Sequence, residues 1–209
     1  DVILEADNTM RSYTGSLTGG VKEFTENGTF IVPDGVYKIL ITACAGGESG
    51  SNSGDVDYGS NGGQGGEYIY KKAFSVSPKD SINITVGKGG KATGYNKDTP
   101  ENGENTVIGQ LITLLGGGIS GCTGCLPGDY TSNGSTGSVF YGQNSQTASG
   151  GKSIFSGREN AFYGGGGASL GQGGQAMQSI LAGYGGGGAG AYGNYISIDG
   201  GDGIVIIEW

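Results

Sequence analysis

Apolar residues recur along the chain in short runs with a period of two, and polar or glycine-rich stretches separate the runs. Thr29–Val32 and Val36–Ala45 are the first two predicted strands. In the second, Ile39, Ile41, Ala43 and Ala45 alternate with Lys38, Leu40, Thr42 and Cys44. Both sets are fairly apolar, which predicts a strand covered on two sides. Pro33-Asp34-Gly35 lies between the runs and has turn chemistry, because Pro presets φ and Gly accepts φ > 0. Glu67–Val76 predicts a strand with Tyr68, Tyr70, Phe74 and Val76 on one face and Lys72 breaking the stripe. A second turn, Pro78-Lys79-Asp80, leads into Ser81–Val86, with Ile82, Ile84 and Val86 inward. Thr106–Ile108 and Leu111–Leu115 are short runs broken by Gly109, and Lys152–Phe155 is a weaker one. Ala176–Ala182 has the propensity for one short helix. The chain closes with Tyr195–Ile198 and with Gly203–Glu208, whose run Ile204–Ile207 reads as a buried central strand.

Apolar runs come from both ends and the middle of the chain, so one domain is expected over residues 22–209. Residues 1–21 read as a connecting segment. The fold class is all-β: a compact β-sandwich-like domain with long glycine-rich stretches between strands.

Composition changes that picture in one respect. Glycine supplies 49 of 209 residues, yet 34% of the chain is hydrophobic and only 14% is charged. Disorder has the opposite balance, and collagen would need a strict Gly-X-Y repeat and more proline. Two arrangements of the glycine blocks remain open. They are loops that use φ > 0, or they are extended three-per-turn helices that lack internal hydrogen bonds and satisfy their amides on one another. Glycine pairs at i, i+3 barely exceed random placement, so spacing does not separate the two.

The net charge of −8 argues against nucleic acid and anionic membranes as partners. Histidine is absent, which removes the usual general base and a Ser-His-Asp triad. Asp55 and Asp57 are too close in sequence to bracket a glycosidic bond. Asp55-x-Asp57-x-Gly59 lacks the glycine and the final glutamate of a calcium loop. Cys122 and Cys125 have CxxC spacing without a βαβ context, so a local disulfide or two thiols is expected. No catalytic residue, metal ligand or cofactor site is assigned, and the chain is not expected to be an enzyme. The glycine-dense stretches do carry Tyr58, Tyr95, Tyr130, Asn133, Phe140, Tyr141, Tyr163, Tyr184 and Tyr192 among Gly, Ser and Asn. Antibody paratopes have that composition, with Tyr giving contact area and small polar residues giving adaptable hydrogen bonds. These nine are the candidate binding residues.

The order of motifs supports a resemblance. Phe24, Gly28, Phe30, Val32-Pro33 and Gly35-Val36 open it, and Ala45-Gly46-Gly47, Gly62-Gly63-Gln64-Gly65-Gly66, Ile84-Thr85-Val86-Gly87 and Gly116-Gly117-Gly118 follow. Gly200-Gly201-Asp202-Gly203-Ile204-Val205-Ile206-Ile207-Glu208-Trp209 closes it. From about Lys22 to Trp209 the chain resembles the glycine-rich C-terminal receptor-binding domain of bacteriophage tail fibres and of phage tail-like bacteriocin fibres. Receptor-kinase ectodomains with glycine blocks are a more distant resemblance. The first implies adhesion at the tip of a virion or tail-like particle, with a bacterial surface polysaccharide or surface-layer protein as partner. It also implies a homotrimer within the fibre, with residues 1–21 leading in from an upstream region. An assembly role at the fibre tip is the alternative.

Overall fold

The computed structural model describes residues 2–4, 10–12, 19–51, 62–92, 99–121, 182–188, 190 and 197–209. Among the described residues the regular elements are all strands: β1 (Val2–Leu4), β2 (Met10–Ser12), β3 (Val21–Phe24), β4 (Gly28–Ile31), β5 (Lys38–Cys44), β6 (Tyr68–Ser75), β7 (Ser81–Thr85), β8 (Thr106–Ile108), β9 (Ile112–Leu114) and β10 (Ile204–Glu208). β1 and β2 pair with each other. The other eight form two four-stranded antiparallel sheets, β3-β10-β5-β6 and β4-β7-β8-β9.

Alternation fixes what each sheet buries. Phe24, Ile39, Ile41, Ala43, Val205 and Ile207 on the first sheet pack against Phe30, Val32, Ile82, Ile84, Val86, Ile108 and Leu114 of the second. The result is the β-sandwich expected from the sequence. β10 lies between β3 and β5, and its register opposite β5 runs from Ile204↔Cys44 to Glu208↔Leu40. That central place explains its unbroken apolar run. Trp209 follows β10 and closes the core, with its ring centroid 5.2 Å from that of Phe30.

Three details differ from the sequence expectation. Pro33–Val36 does form a turn, with the Val36 N–H bonded to the Pro33 carbonyl and Gly35 at φ 79°. However, it carries the chain from one sheet to the other, so β4 and β5 are not partners. In β6, the register shifts between Ile41 and Ala43 of its neighbour β5. A bulge there puts Lys71 at φ 44° and lets its N–H bond to Thr42 Oγ1. Phe74 and Ile69 therefore face Ile39 and Ala43 on the core side, whereas Tyr68 pairs with Cys44 on the outer side. The single stripe from Tyr68 to Val76 is thus split between two faces. Finally, Ser197 and Ile198 continue a glycine-rich segment rather than a strand. Lys152–Phe155 and 176–181 lie outside the described residues.

Beyond the sandwich the glycine blocks are ordered. Residues 45–50 leave β5 and run outward, and their amides point to three neighbours in turn. The N–H groups of Ala45 and Glu48 bond to the Glu67 and Gln64 carbonyls, those of Gly46 and Ser49 to Glu104 and Glu101, and those of Gly47 and Gly50 to Gly201 and Ile198. Each direction repeats every three residues, and each neighbour steps back by three. That register belongs to an extended helix with three residues per turn. The carbonyls of Gly46, Gly47 and Glu48 accept from Gly117, Gly90 and Gly188, which lie on three further segments. Six segments therefore surround one. They also bond round the ring: Glu104 to Lys88, Gly203 to Gly87, Gly185 to Asp202, Gly66 to Gly185, Glu67 to Leu115, and Gly103 to Gly117. Donors of the central segment go to the three segments returning toward the sheets. Its acceptors serve the three running away.

This packing explains the composition. A Cβ on Gly46 would overlap the Lys88 carbonyl, and one on Gly47 would overlap the Gly186 carbonyl. Similar backbone overlaps await a Cβ on Gly63, Gly87, Gly89, Gly103, Gly117, Gly188, Gly200 and Gly201. None of these glycines has a positive φ. Their hydrogen is needed for close approach, not for a left-handed backbone.

Candidate binding surface

The molecule has two poles. At one, Gly20 exchanges backbone hydrogen bonds of 2.9 Å with Trp209 in both directions, and Val21 pairs with Glu208. Gly19 and Gly20 lead into β3 there. At the other pole stands the end of the seven-segment lattice farther from the sheets. A run of six residues at about 3.1 Å each extends it roughly 18 Å beyond the sheets. Ser51 and Gly62, Ala92 and Thr99, and Gly190 and Ser197 are the described residues that flank three sequence intervals at that end.

Polar side chains trim the sides of the lattice. Glu48 is half-buried and its Oε2 accepts the Gln64 N–H at 2.8 Å. Burial raises its carboxyl pKa above the ordinary value, and that hydrogen bond opposes the rise. Ser49 is fully buried and its Oγ accepts the Glu101 N–H at 2.8 Å. Lys91 pairs with Asp199 at 2.9 Å, and Lys88 with Asp202 at 2.9 Å. Asp202 is held below the ordinary carboxyl range: its desolvation is outweighed by the Gly89 N–H and by the ammonium groups of Lys88 and Lys91. At the base of the lattice, Thr106 Oγ1 accepts the Gly87 N–H at 3.0 Å and donates to the Cys44 carbonyl at 2.9 Å.

Of the nine candidate binding residues, Tyr184 is described. It is 42% exposed and occupies a turn closed by the Gly186 N–H on the Gly183 carbonyl, with Gly185 at φ 66°. That turn bonds to Asp202 and Gly66, at the sandwich end of the lattice. Tyr58, Tyr95, Tyr130, Asn133, Phe140, Tyr141, Tyr163 and Tyr192 lie outside the described residues, as do Asp55, Asp57, Cys122 and Cys125. Tyr58 falls in sequence between Ser51 and Gly62, Tyr95 between Ala92 and Thr99, and Tyr192 between Gly190 and Ser197. Two exposed rings escaped the sequence reading because they sit in or beside strands: Tyr37 at 68% and Tyr70 at 59%. The β6 bulge was the missing signal for Tyr70, and no single-sequence pattern announces it.

Residues 24–209 match the model of the glycine-rich domain family, and the chain belongs to that family. No curated protein matches it.

Proposed function

We propose that this domain is an adhesin: the receptor-binding tip of a phage or phage-like tail fibre, which attaches to a bacterial surface polysaccharide or surface-layer protein without catalysis. The observation that supports this most is polarity. The chain enters beside Trp209 at one pole, and three Tyr-bearing sequence intervals are flanked by residues at the opposite pole. A backbone-bonded lattice is a stiff mount for contact residues, and stiffness lowers the entropy lost on binding. Tyr among Gly, Ser and Asn suits such contact. Several copies in one fibre, a homotrimer by the family resemblance, would add avidity to modest single-site affinity.

The test is adsorption of labelled protein to a panel of bacterial cells, intact or stripped of surface protein or of surface glycan. Tyr58→Ala, Tyr95→Ala and Tyr192→Ala should each weaken adsorption about tenfold, the usual loss for a contact aromatic. Tyr70→Ala, on the sandwich, should leave it unchanged. Full adsorption by all three of these variants would reject the reading. Loss of fibre assembly with adsorption intact would favour a structural tip protein instead.

A further inference from the structure

Segment 88–92 is held differently from the central segment. The Lys88 N–H bonds to Glu104 Oε2 at 3.1 Å and the Lys91 N–H to Glu101 Oε2 at 2.9 Å. The Gly89 N–H bonds to Asp202 Oδ1 at 2.9 Å and the Ala92 N–H to Asp199 Oδ1 at 2.6 Å. Only Gly90, in the middle, donates to a backbone carbonyl, that of Gly47. Thus four of five consecutive amides rest on side-chain carboxylates, whereas amides 45–50 all rest on carbonyls. The same aspartates take the two ammonium groups of the segment, Lys88 on Asp202 and Lys91 on Asp199. The spacing matches the lattice: Lys88 and Lys91, Glu101 and Glu104, Asp199 and Asp202 are all three apart, one turn.

A carbonyl acceptor does not titrate in mild acid, but an ordinary carboxylate does, near about pH 4. A charged acceptor also makes roughly twice as strong a hydrogen bond as a neutral one. We propose that segment 88–92 is an acid-releasable clamp: protonation of Asp202, which holds both the Gly89 N–H and the Lys88 ammonium, loosens the segment from the ring while segment 45–50 stays bonded. Among the described residues the charged groups facing it are Glu101, Glu104, Asp199 and Asp202, its own Lys88 and Lys91, and Glu26, which acts on Lys88. The central segment contributes the uncharged Gly47 carbonyl. The sign follows from linkage. A carboxylate whose folded pKa is depressed, as at Asp202, stabilises above its unfolded pKa and loses that contribution as pH falls. Because Ala92 lies at the outer end of the segment, where its N–H rests on Asp199, acid would loosen the lattice away from the sheets without melting the sandwich. The inference rests on the hydrogen bonds and holds whatever the domain binds.

The experiment is amide hydrogen exchange of the whole chain by NMR, corrected for intrinsic rates, between about pH 6 and pH 3, which spans the carboxylate range. Protection of amides 88, 89, 91 and 92 should fall about tenfold relative to amides 46–48, a separation typical of local opening. Asp199→Asn with Asp202→Asn should show the reduced protection already at pH 6, because the amide oxygen still accepts but both ion pairs are gone. A protection ratio that stays within about twofold across the range, or amides 46–48 declining in step, overturns the proposal. Should the double variant fail to fold, the titration of the unaltered protein decides alone.

Discussion

Replacing Gly47 by alanine separates the two reasons for which a chain uses glycine. Gly47 is buried in the central segment and has no positive φ, so an alanine there meets no backbone strain of its own. Its Cβ would overlap the carbonyl of Gly186 and come up against the amide of Gly187. Segment 183–188 must then retreat by roughly an ångström, the usual response to overpacking. That segment makes five backbone hydrogen bonds to its neighbours: Gly185 to Asp202, Gly201 to Gly186, Gly188 to Glu48, Gly63 to Gly188 and Gly66 to Gly185, all between 2.7 and 2.9 Å. Each is worth about 0.5–1.5 kcal/mol net, so weakening the set should cost about 3 kcal/mol or more. Gly121 is the comparison. Its φ is 90° and nothing lies within 4 Å of a Cβ added there. Alanine at 121 therefore pays only for its backbone conformation, about 1–2 kcal/mol. Urea unfolding followed by Trp209 fluorescence reads both, because this single tryptophan packs on Phe30 in the core. If Gly47→Ala costs no more than Gly121→Ala, the packing argument is refuted.

Other perturbations probe separate parts. Thr106→Val leaves the Gly87 N–H and the Cys44 carbonyl without their side-chain partner at a fully buried position. It should destabilise by about 2–3 kcal/mol in the same unfolding assay. Glu48→Gln keeps an oxygen for the Gln64 N–H but removes a charge that burial disfavours. It should raise the thermal midpoint at neutral pH, and the gain should shrink as acid protonates the native Glu48. Asp202→Asn should act in the opposite direction: it lowers stability above the usual carboxylate range and makes no difference below it, because the depressed pKa of Asp202 is what stabilises the fold there. Calorimetry across pH checks both signs.

The strands were legible because burial acts through side chains. Ile82-x-Ile84-x-Val86 and Ile39-x-Ile41-x-Ala43 alternate, and both sets are core. β3 was missed, since Val21, Lys22 and Glu23 are all exposed on an edge strand and only Phe24 is buried. The bulge at Lys71 was missed as well, because it is set by the match between β5 and β6 rather than by a local residue preference. The lattice was left open as one of two readings, for a physical reason. A strict i, i+3 glycine period would arise only if each segment packed on one side. The central segment packs on every side and so wants consecutive small residues, as in Ala45-Gly46-Gly47. The ring segments pack inward and on their two ring neighbours but not outward, so Lys88, Lys91, Glu101 and Glu104 sit on their exposed positions. Averaged over both kinds, glycine spacing looks nearly random. The more telling signal was the three-residue spacing of the charges: Lys88 and Lys91, Glu101 and Glu104, Asp199 and Asp202, which meet across segment boundaries. The candidate tyrosines were legible as composition, but that the intervals holding Tyr58, Tyr95 and Tyr192 are flanked by residues at one pole depends on the register of segments far apart in sequence.

The central claim is that six glycine-rich segments surround a seventh through a three-residue register. Scalar couplings across hydrogen bonds, measured by NMR on labelled protein, test it most directly. The account predicts couplings from the Gly46 amide to the Glu104 carbonyl, Gly47 to Gly201, Glu48 to Gln64, and Ser49 back to Glu101. Absence of all four, with rapidly exchanging glycine amides at coil-like shifts in a chain whose β5 and β10 amides are protected, would contradict it.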